Sequence, residues 1–269
     1  MKAIFTPKIS VFVSSSDNTY DVFQVISTSL VKAFGGDSVN YYVGLNKHTA
    51  PSPFFTIKSP VQGWKDELLY QINQLPPDVD YLILMLDDFF FHEKVEIEKV
   101  NNFYDFVVKN KIDYLRLVPL QRSFLIRLIK STFIKYISKS GVEKIQQNEP
   151  YYSSLQASIW RRSYLEELLN NNVSIWGFEH LVLDDRLHYA VCTAGLMNYE
   201  HLVEKGKWLN HAQKLLPLVD KAYFLKRGYD SRFLYKYKFF RHIKFNIYGY
   251  SAIKIKSCIA DFCKIITGK

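Results

Sequence analysis

The chain has 269 residues, of which 48% are hydrophobic and 23% are charged, a composition that excludes an intrinsically disordered protein. Its net charge of +9 is uneven, because residues 221–269 carry twelve Lys and Arg against two Asp. Residues 1–220 are close to neutral, with a net charge of −1. A nucleic-acid-binding surface over the whole protein is therefore not expected, whereas residues 221–269 favour a local contact with an anionic surface.

The first elements predict a βαβ unit. Ile9–Val13 has the composition of a strand, Tyr20–Phe34 has apolar residues at helical spacing, and Val39–Val43 is a second strand. Parallel pairing of the two strands is the default for such a unit. The small polar loop Ser14–Asn18 joins the first strand to the helix. It is either an ordinary helix N-cap or a loop that contacts a nucleotide.

The most informative run is Tyr81–Phe91, in which six mostly aliphatic residues lead into Asp87 and Asp88. A short apolar run of this kind predicts a strand that is buried on both faces. Its two carboxylates would lie at the carboxyl edge of the sheet, where open α/β sheets bind ligands. Since burying two unpaired charges is costly, we expect the pair to face a cleft, a cation or a basic side chain. The alternative is that the pair merely caps the next turn.

The remaining elements follow from the same periodicities, and Lys47–Pro60 is predicted to be a loop. The pattern predicts helices over Trp64–Leu75, His92–Asn110, Arg161–Asn170, Asp184–Ala190 and His211–Leu225, and extended segments over Tyr114–Val118, Tyr151–Trp160 and Val191–Tyr199.

Three polar groups are expected to converge in this arrangement: the loop Ser14–Asn18, the pair Asp87 and Asp88, and Glu179 in an aromatic setting. Paired carboxylates at a strand end can hold Mg²⁺ or Mn²⁺ and leave coordination positions for phosphate oxygens. A separate glutamate can serve as a general base.

Six landmarks occur together between Ile9 and His211. They are Ser-Ser-Ser-Asp at 14–17, Gly-Trp-Lys-Asp-Glu-Leu at 63–68, Tyr-Leu-Ile-Leu-Met-Leu-Asp-Asp-Phe-Phe at 81–90, Leu-Gln-Ala-Ser-Ile-Trp-Arg-Arg-Ser-Tyr-Leu at 155–165, Ser-Ile-Trp-Gly-Phe-Glu at 174–179 and Gly-Lys-Trp at 206–208. With these motifs the chain resembles the GT-A glycosyltransferases of bacterial surface-polysaccharide gene clusters, such as those for capsule or for the O-antigen of lipopolysaccharide. It departs from their pattern in two places: Phe89 follows the carboxylate pair where a third Asp would stand, and His180 follows Glu179 where Asp is commoner.

The resemblance implies an α/β fold of the GT-A (Rossmann-like) type, a mixed sheet flanked by helices, over residues 1–220. It also implies a nucleotide-sugar donor, favoured to be a UDP-sugar, with Mn²⁺ or Mg²⁺ held by Asp88 and Asp87. Glu179 would be the general base of an inverting transfer. Residues implied to bind the nucleotide sugar are Ser14, Ser15, Asp17, Asn46, Trp64, Asp87, Lys207 and His211, and those implied to bind the acceptor are Trp160 and Trp176. For Lys207 and His211, a role as ordinary surface residues is an open alternative.

The basic region 221–269 is predicted to be helical. Ile255, Cys258, Ile259, Phe262, Cys263 and Ile266 share one helical stripe, with lysines beside it. This pattern is typical of an interfacial helix on an anionic membrane, although a helix packed on the catalytic domain is an alternative. A membrane contact fits a lipid-linked saccharide acceptor. Three cysteines without a disulfide framework, and an N-terminus without a long apolar run, predict a cytoplasmic protein on the inner face of the plasma membrane.

Two other functions stay open from the sequence. A sugar nucleotidyltransferase would share the sheet, but it would usually carry a Gly-rich basic loop after the first strand, and Ser14–Asn18 is neither. A non-catalytic, membrane-peripheral binding protein in polysaccharide assembly is the alternative from another class.

Overall fold

A computed structural model describes residues 9–35, 39–120, 141–149, 151–171, 174–183, 186–192, 195–216 and 221–229. The chain divides into two compact units, one from residues 1–120 and 138–206 and the other from 121–137 and 207–269. Most of the predicted basic helical region lies outside the described residues, so its membrane helix and the domain boundary after residue 220 stay predictions. No helix in the described ranges is long and apolar enough to cross a bilayer.

The first unit contains strands and helices in alternation. Its strands are β1 (Ile9–Ser14), β2 (Val39–Leu45), β3 (Phe54–Lys58), β4 (Tyr81–Leu86), β5 (Phe89–Phe91), β6 (Tyr114–Arg116), β7 (Val142–Lys144), β8 (Ser158–Arg161), β9 (His188–Val191), β10 (Tyr199–His201) and β11 (Val203–Glu204). Its helices are α1 (Tyr20–Phe34), α2 (Trp64–Asn73), α3 (Ile97–Lys109), α4 (Arg162–Leu169) and α5 (Ile175–Phe178). The second unit contains β12 (Lys207–Trp208), α6 (Ala212–Leu215) and α7 (Lys221–Arg227).

Eight of the described strands form one sheet in the order β3-β2-β1-β4-β8-β6-β9-β7. The first four are parallel, and their order is that of one half of a Rossmann fold. Strand β8 runs antiparallel to both β4 and β6, and β7 runs antiparallel to β9. The predicted α/β fold with a mixed sheet is therefore confirmed.

Helices cover both faces of the sheet. Alternate residues of β4 point to opposite faces, so Ile83 and Met85 join one apolar cluster while Leu82 and Leu84 join the other. Residues of α1 and α3 belong to the first cluster, and residues of α2 and α4 belong to the second. The prediction of a central strand that is buried on both faces is confirmed.

Several sequence-based assignments were wrong. Residues 195–198 of the predicted strand Val191–Tyr199 form a turn before β10, and the predicted helix His211–Leu225 is interrupted at Leu216. The predicted loop Lys47–Pro60 contains β3, which pairs with β2 at the edge of the sheet and was obscured by the flanking Pro and Ser residues. The predicted helix Asp184–Ala190 instead leads into β9, which is hydrogen-bonded between β6 and β7. Pairing on both sides outweighs the weak local helical pattern there.

Gly44 near the end of β2 allows a close approach by α2. A Cβ atom at this position would overlap the side-chain amide of Gln71, which is almost fully buried. The Gln71 amide group lies 3.5 Å from the carbonyl oxygen of Leu45, at the carboxyl edge of the sheet. The small residue therefore fixes how α2 packs beside that edge.

Replacing Gly44 with alanine tests this packing. We expect Gly44→Ala to lower the free energy of unfolding by about 1–3 kcal/mol, because Gln71 must leave its position. Denaturant unfolding measures the change, and Gly44→Ala in a Gln71→Ala background is the matched control. The double variant should lose less stability than the sum of the single variants. Strictly additive losses would show that the two residues do not compete for space.

Candidate functional site

The candidate site lies where the strand order reverses. From β1 the chain moves outward to β2 and β3 and then returns to β4 on the other side of β1. Ligands of open α/β sheets bind in the crevice at the carboxyl ends of such strands. Ser15 follows β1 and Asp87 follows β4, and the Ser15 hydroxyl donates a 2.7 Å hydrogen bond to Asp87 Oδ2. Ser14 is the last residue of β1, where it pairs with Leu86. The predicted meeting of the loop with the carboxylate pair is confirmed.

Asp87 is held in a setting that resists a negative charge. Burial raises its pKa to about 7, against hydrogen bonds from Thr19 and Ser15 that favour the ionised form. The neighbouring charge of Asp88 raises the pKa further. A cation at this edge would offset both effects, since an opposite charge within a few ångströms favours the carboxylate.

Asp88 has one engaged oxygen and one that lacks a partner. Its Oδ2 lies 3.0 Å from Nδ1 of His201, and the Asp88 side chain is only 17% exposed. Its Oδ1 is buried, and no residue in the described ranges donates a hydrogen bond to it. A buried carboxylate oxygen without a donor is costly, and coordination of a cation would satisfy it.

The sequence interpretation missed His201. This residue lies on β10, which pairs antiparallel with β5, and His201 is directly opposite Phe89. The amide of Leu202 also donates to the carbonyl oxygen of Asp88. No local motif connects residues 113 positions apart, so only the strand pairing could have identified the histidine.

The residues at this edge fit a metal that is shared with a ligand rather than one fully enclosed by protein. No three His, Cys, Asp or Glu side chains in the described ranges form a cluster that could hold an ion. Mg²⁺ is commonly held by one or two carboxylates together with substrate phosphates. Asp88 Oδ1 could provide such a protein ligand, with the carboxylate of Asp87 next to it in the chain.

Asp17 binds the backbone of the loop after β2. Its carboxylate accepts hydrogen bonds from the backbone amides of Asn46, Lys47 and His48, at 3.1, 2.9 and 3.4 Å. Burial alone would raise the pKa of Asp17, but these bonds and the contact with the His48 side chain outweigh it and lower the pKa to about 2. Thr19, not Asp17, is the N-cap residue of α1. The loop after β1 therefore organises the loop after β2, and Asn46 lies at the same edge of the sheet.

Glu179 lies at the carboxyl edge because β8 runs in reverse. Its Oε1 accepts a 3.0 Å hydrogen bond from the amide of Leu155 and lies 3.4 Å from the Ser154 hydroxyl. These two residues precede β8, in which Ser158 pairs with Leu84 of β4. No described residue donates to the other oxygen, Oε2, and the side chain is partly exposed. One oxygen is thus anchored while the other can accept a proton.

The three tryptophans of this unit have different environments. Trp176 is 71% exposed on α5, three residues before Glu179, and offers an apolar face. Trp64 is partly exposed at the start of α2 and packs edge-to-face on Phe178, with ring centres 5.5 Å apart. Trp160 is fully buried and packs on Tyr114 and Phe178. The prediction that Trp160 binds the acceptor was wrong, because its side chain is packed in the second apolar cluster and has no surface open to a sugar.

Lys207 and His211 belong to the second unit. Lys207 is exposed on β12, and His211 directly precedes α6. Their predicted contact with a diphosphate stays a prediction.

A cavity of about 660 Å³ lies elsewhere in the first unit. It is lined in part by Lys144, Arg186 and Leu187, at the amino end of β9. Arg186 already pairs with Glu167 and lies near Asp113. This cavity is at the opposite edge of the sheet from Asp88 and is not the candidate site.

No protein-family model matches the sequence, and no curated protein matches it either. Several solved structures are similar to it at low sequence identity. TarS from S. aureus is 13% identical with a TM-score of 0.38, over 70% of this chain and 37% of that chain. The mannosyltransferase PcManGT from Pyrobaculum calidifontis, in complex with GDP-Man and Mn²⁺, is 10% identical with a TM-score of 0.45, over 76% of this chain and 59% of that chain. The galactosyltransferase LgtC is 9% identical with a TM-score of 0.34, over 59% of this chain and 60% of that chain. The chain thus spans less than two thirds of each of these proteins, and similarity at this level identifies neither an activity nor a ligand.

The contacts of Asp17 predict a pH-dependent contribution to stability. Its pKa is lowered from 3.8 to about 2 in the folded protein. The contribution is therefore complete above pH 3.8 and is lost as the pH falls towards 2. We expect Asp17→Asn to lower the free energy of unfolding at pH 7 by about 1–2 kcal/mol, and the difference from the unmodified protein to shrink towards zero as the pH falls through 2.

Denaturant unfolding between pH 2 and pH 7 measures this effect. Asp66→Asn is the control, because the Asp66 side chain is 61% exposed. A difference between Asp17→Asn and the unmodified protein that is unchanged at pH 2 would contradict the assignment.

Proposed function

We propose that this chain is a metal-dependent glycosyltransferase, which moves a sugar from a nucleotide-diphosphate sugar to a hydroxyl group. The observation that carries the proposal is the arrangement of Ser15, Asp87 and Asp88 at the switch point of the sheet. Asp88 presents there a buried oxygen without a partner in the described part of the chain, and Ser15 binds the carboxylate of the adjacent Asp87. An open α/β sheet binds ligands at this switch point. A diphosphate bound there would share a divalent cation with the carboxylates.

Asp88 has the role of metal ligand in this proposal. When bound, Mn²⁺ or Mg²⁺ would hold the diphosphate oxygens and neutralise the charge that develops on the leaving group. The contact of His201 with Asp88 Oδ2 would leave Oδ1 available to the ion. The adjacent Asp87 would contribute negative charge once a cation is bound, and the hydrogen bond from Ser15 favours its ionised form.

Glu179 has the role of general base. Its Oε1 is anchored by Leu155, and Oε2 takes the proton of the acceptor hydroxyl. The acceptor oxygen then forms a bond to the anomeric carbon while the bond from that carbon to the diphosphate oxygen breaks. Attack from the face opposite the leaving group inverts the configuration. Trp176 would offer an apolar face to the acceptor sugar beside this base.

The nucleoside end of the donor is assigned to the side of Asp88 where β1 and β2 end. Asp17 shapes the loop that carries Asn46, and both residues lie beside the ends of β1 and β2. We assign contacts with the nucleoside to this loop and favour a UDP-sugar as donor. Trp64, Lys207 and His211 are assigned supporting contacts with the nucleotide sugar.

The acceptor and its location are further parts of the proposal. The charge of +10 in residues 221–269 supports attraction to an anionic membrane surface. We therefore propose a lipid-linked saccharide as acceptor, on the inner face of the plasma membrane, within the synthesis of capsule or lipopolysaccharide.

Two substitutions test the assigned roles. We expect Asp88→Asn and Glu179→Gln each to slow sugar transfer at least about 100-fold, because a metal ligand and a general base are removed. Release of nucleoside diphosphate from a panel of nucleotide sugars with Mn²⁺ measures the rate. Asp80→Asn is the control, since Asp80 is exposed at the opposite end of β4 and should retain activity.

Thermal unfolding must show that each variant is folded. Full activity of either variant would contradict the role given to that residue. Absence of transfer and hydrolysis with every nucleotide sugar would favour the non-catalytic binding protein.

A further inference from the structure

Arg116 is a buried cation at the same edge as Asp88. It is the last residue of β6, which has the same direction as β4 because both are antiparallel to β8. Its side chain lies on the face of the sheet shared by Tyr114, and the residue is only 5% exposed. Two strand spacings, about 10 Å, separate the ends of β4 and β6. Arg116 therefore lies beyond the metal ligand, on the side away from the loop of Asn46.

The contacts of Arg116 do not balance its charge. Its guanidinium donates to the side-chain oxygen of Gln156, while its buried Nε has no hydrogen-bond partner among the residues that the structure describes. The other arginines described in the first unit each form an ion pair with a carboxylate: Arg161 with Asp113, Arg162 with Glu166 and Arg186 with Glu167. The most buried of the four is thus the one without an acidic partner in the described structure.

This imbalance indicates a missing anion. Buried charges in proteins are normally paired, because an isolated charge loses far more hydration energy than a neutral hydrogen bond restores. A guanidinium presents parallel N–H groups that match the two oxygens of a carboxylate or a phosphate. A ligand with such a group would satisfy both the charge and the unpaired Nε.

Arg116 lies near the residues that are proposed to act on the substrate, Glu179 and Asp88. Gln156, which binds Arg116, directly follows Leu155, which anchors Glu179. Burial raises the pKa of Tyr114 to about 12, and the positive charge of Arg116 opposes this rise. Burial also raises the pKa of Tyr199. The negative charge of Asp88 adds to this rise and the positive charge of Arg116 opposes it, so both charges act on Tyr199.

We propose that Arg116, oriented by Gln156, binds an oxyanion of the nucleotide sugar. This inference rests on the proposed function. The oxyanion comes either from the diphosphate or from a carboxylate on the transferred sugar, as in a uronic acid. The shared chemistry is a planar pair of oxygens held by the arginine fork.

Binding measurements on the full chain with Mn²⁺ test the proposal. The probes are UDP, GDP, UDP-glucose and UDP-glucuronate, and the proteins are the unmodified chain, Arg116→Met and Arg161→Met. We expect Arg116→Met to unfold no more easily than the unmodified protein, because methionine replaces an unpaired buried charge. Arg116→Met should bind every probe that carries the oxyanion recognised by Arg116 at least about tenfold more weakly than the unmodified protein does. Arg161→Met should instead lose thermal stability, because the buried Asp113 loses the closer of its two arginine partners, and should keep its affinity.

The pattern across probes identifies the source of the oxyanion. Weaker binding of all four probes by Arg116→Met indicates the diphosphate, and weaker binding of UDP-glucuronate alone indicates a sugar carboxylate. Equal binding of every probe by Arg116→Met and the unmodified protein overturns the proposal. So does a loss of stability as large as that of Arg161→Met with affinity retained, since Arg116 would then be purely structural.

Failure of the proposed function gives a different result. If the unmodified protein binds none of the four probes, the nucleotide-sugar assignment fails. Inorganic pyrophosphate and free glucuronate then decide whether Arg116 binds oxyanions. Thermal stabilisation of the unmodified protein by either anion, absent in Arg116→Met, supports that part of the inference, and its absence overturns it.

Discussion

The site depends on how the fold accommodates two adjacent carboxylates at the end of a strand that is buried on both faces. Ser15 stabilises one of them through a hydrogen bond that joins the ends of β1 and β4. His201 engages one oxygen of the other and leaves Asp88 Oδ1 without a partner. Because an uncompensated buried charge is costly, the arrangement is complete only when a cation or a donor reaches that oxygen.

The mixed topology brings the remaining groups to the same edge. A purely parallel sheet would begin β8 at the opposite edge, whereas its reversal places Leu155 and Gln156 beyond the carboxyl ends of β4 and β6. Leu155 anchors Glu179, and Gln156 binds Arg116. One short segment thus contacts both a carboxylate and a cation at the same edge of the sheet.

The sequence predicted the features that local patterns determine. The apolar run before Asp87 identified β4, and helical spacing identified α1 from Tyr20 to Phe34. Features that depend on distant pairing were missed, such as the approach of His201 to Asp88 through β10. Trp160 was misassigned because an aromatic residue near a site motif looks the same in sequence whether it faces a ligand or the core. The uncompensated charge of Arg116 could not be recognised either, since ion pairing is a property of the folded chain.

The position of a bound cation tests the central claim most directly. Crystals grown with Mn²⁺ and UDP allow the metal to be located by anomalous scattering. We predict an anomalous peak about 2.1 Å from Asp88 Oδ1, the distance expected for a small divalent cation bound to oxygen. A peak at any other place in the protein, with Asp88 Oδ1 uncoordinated, would contradict it.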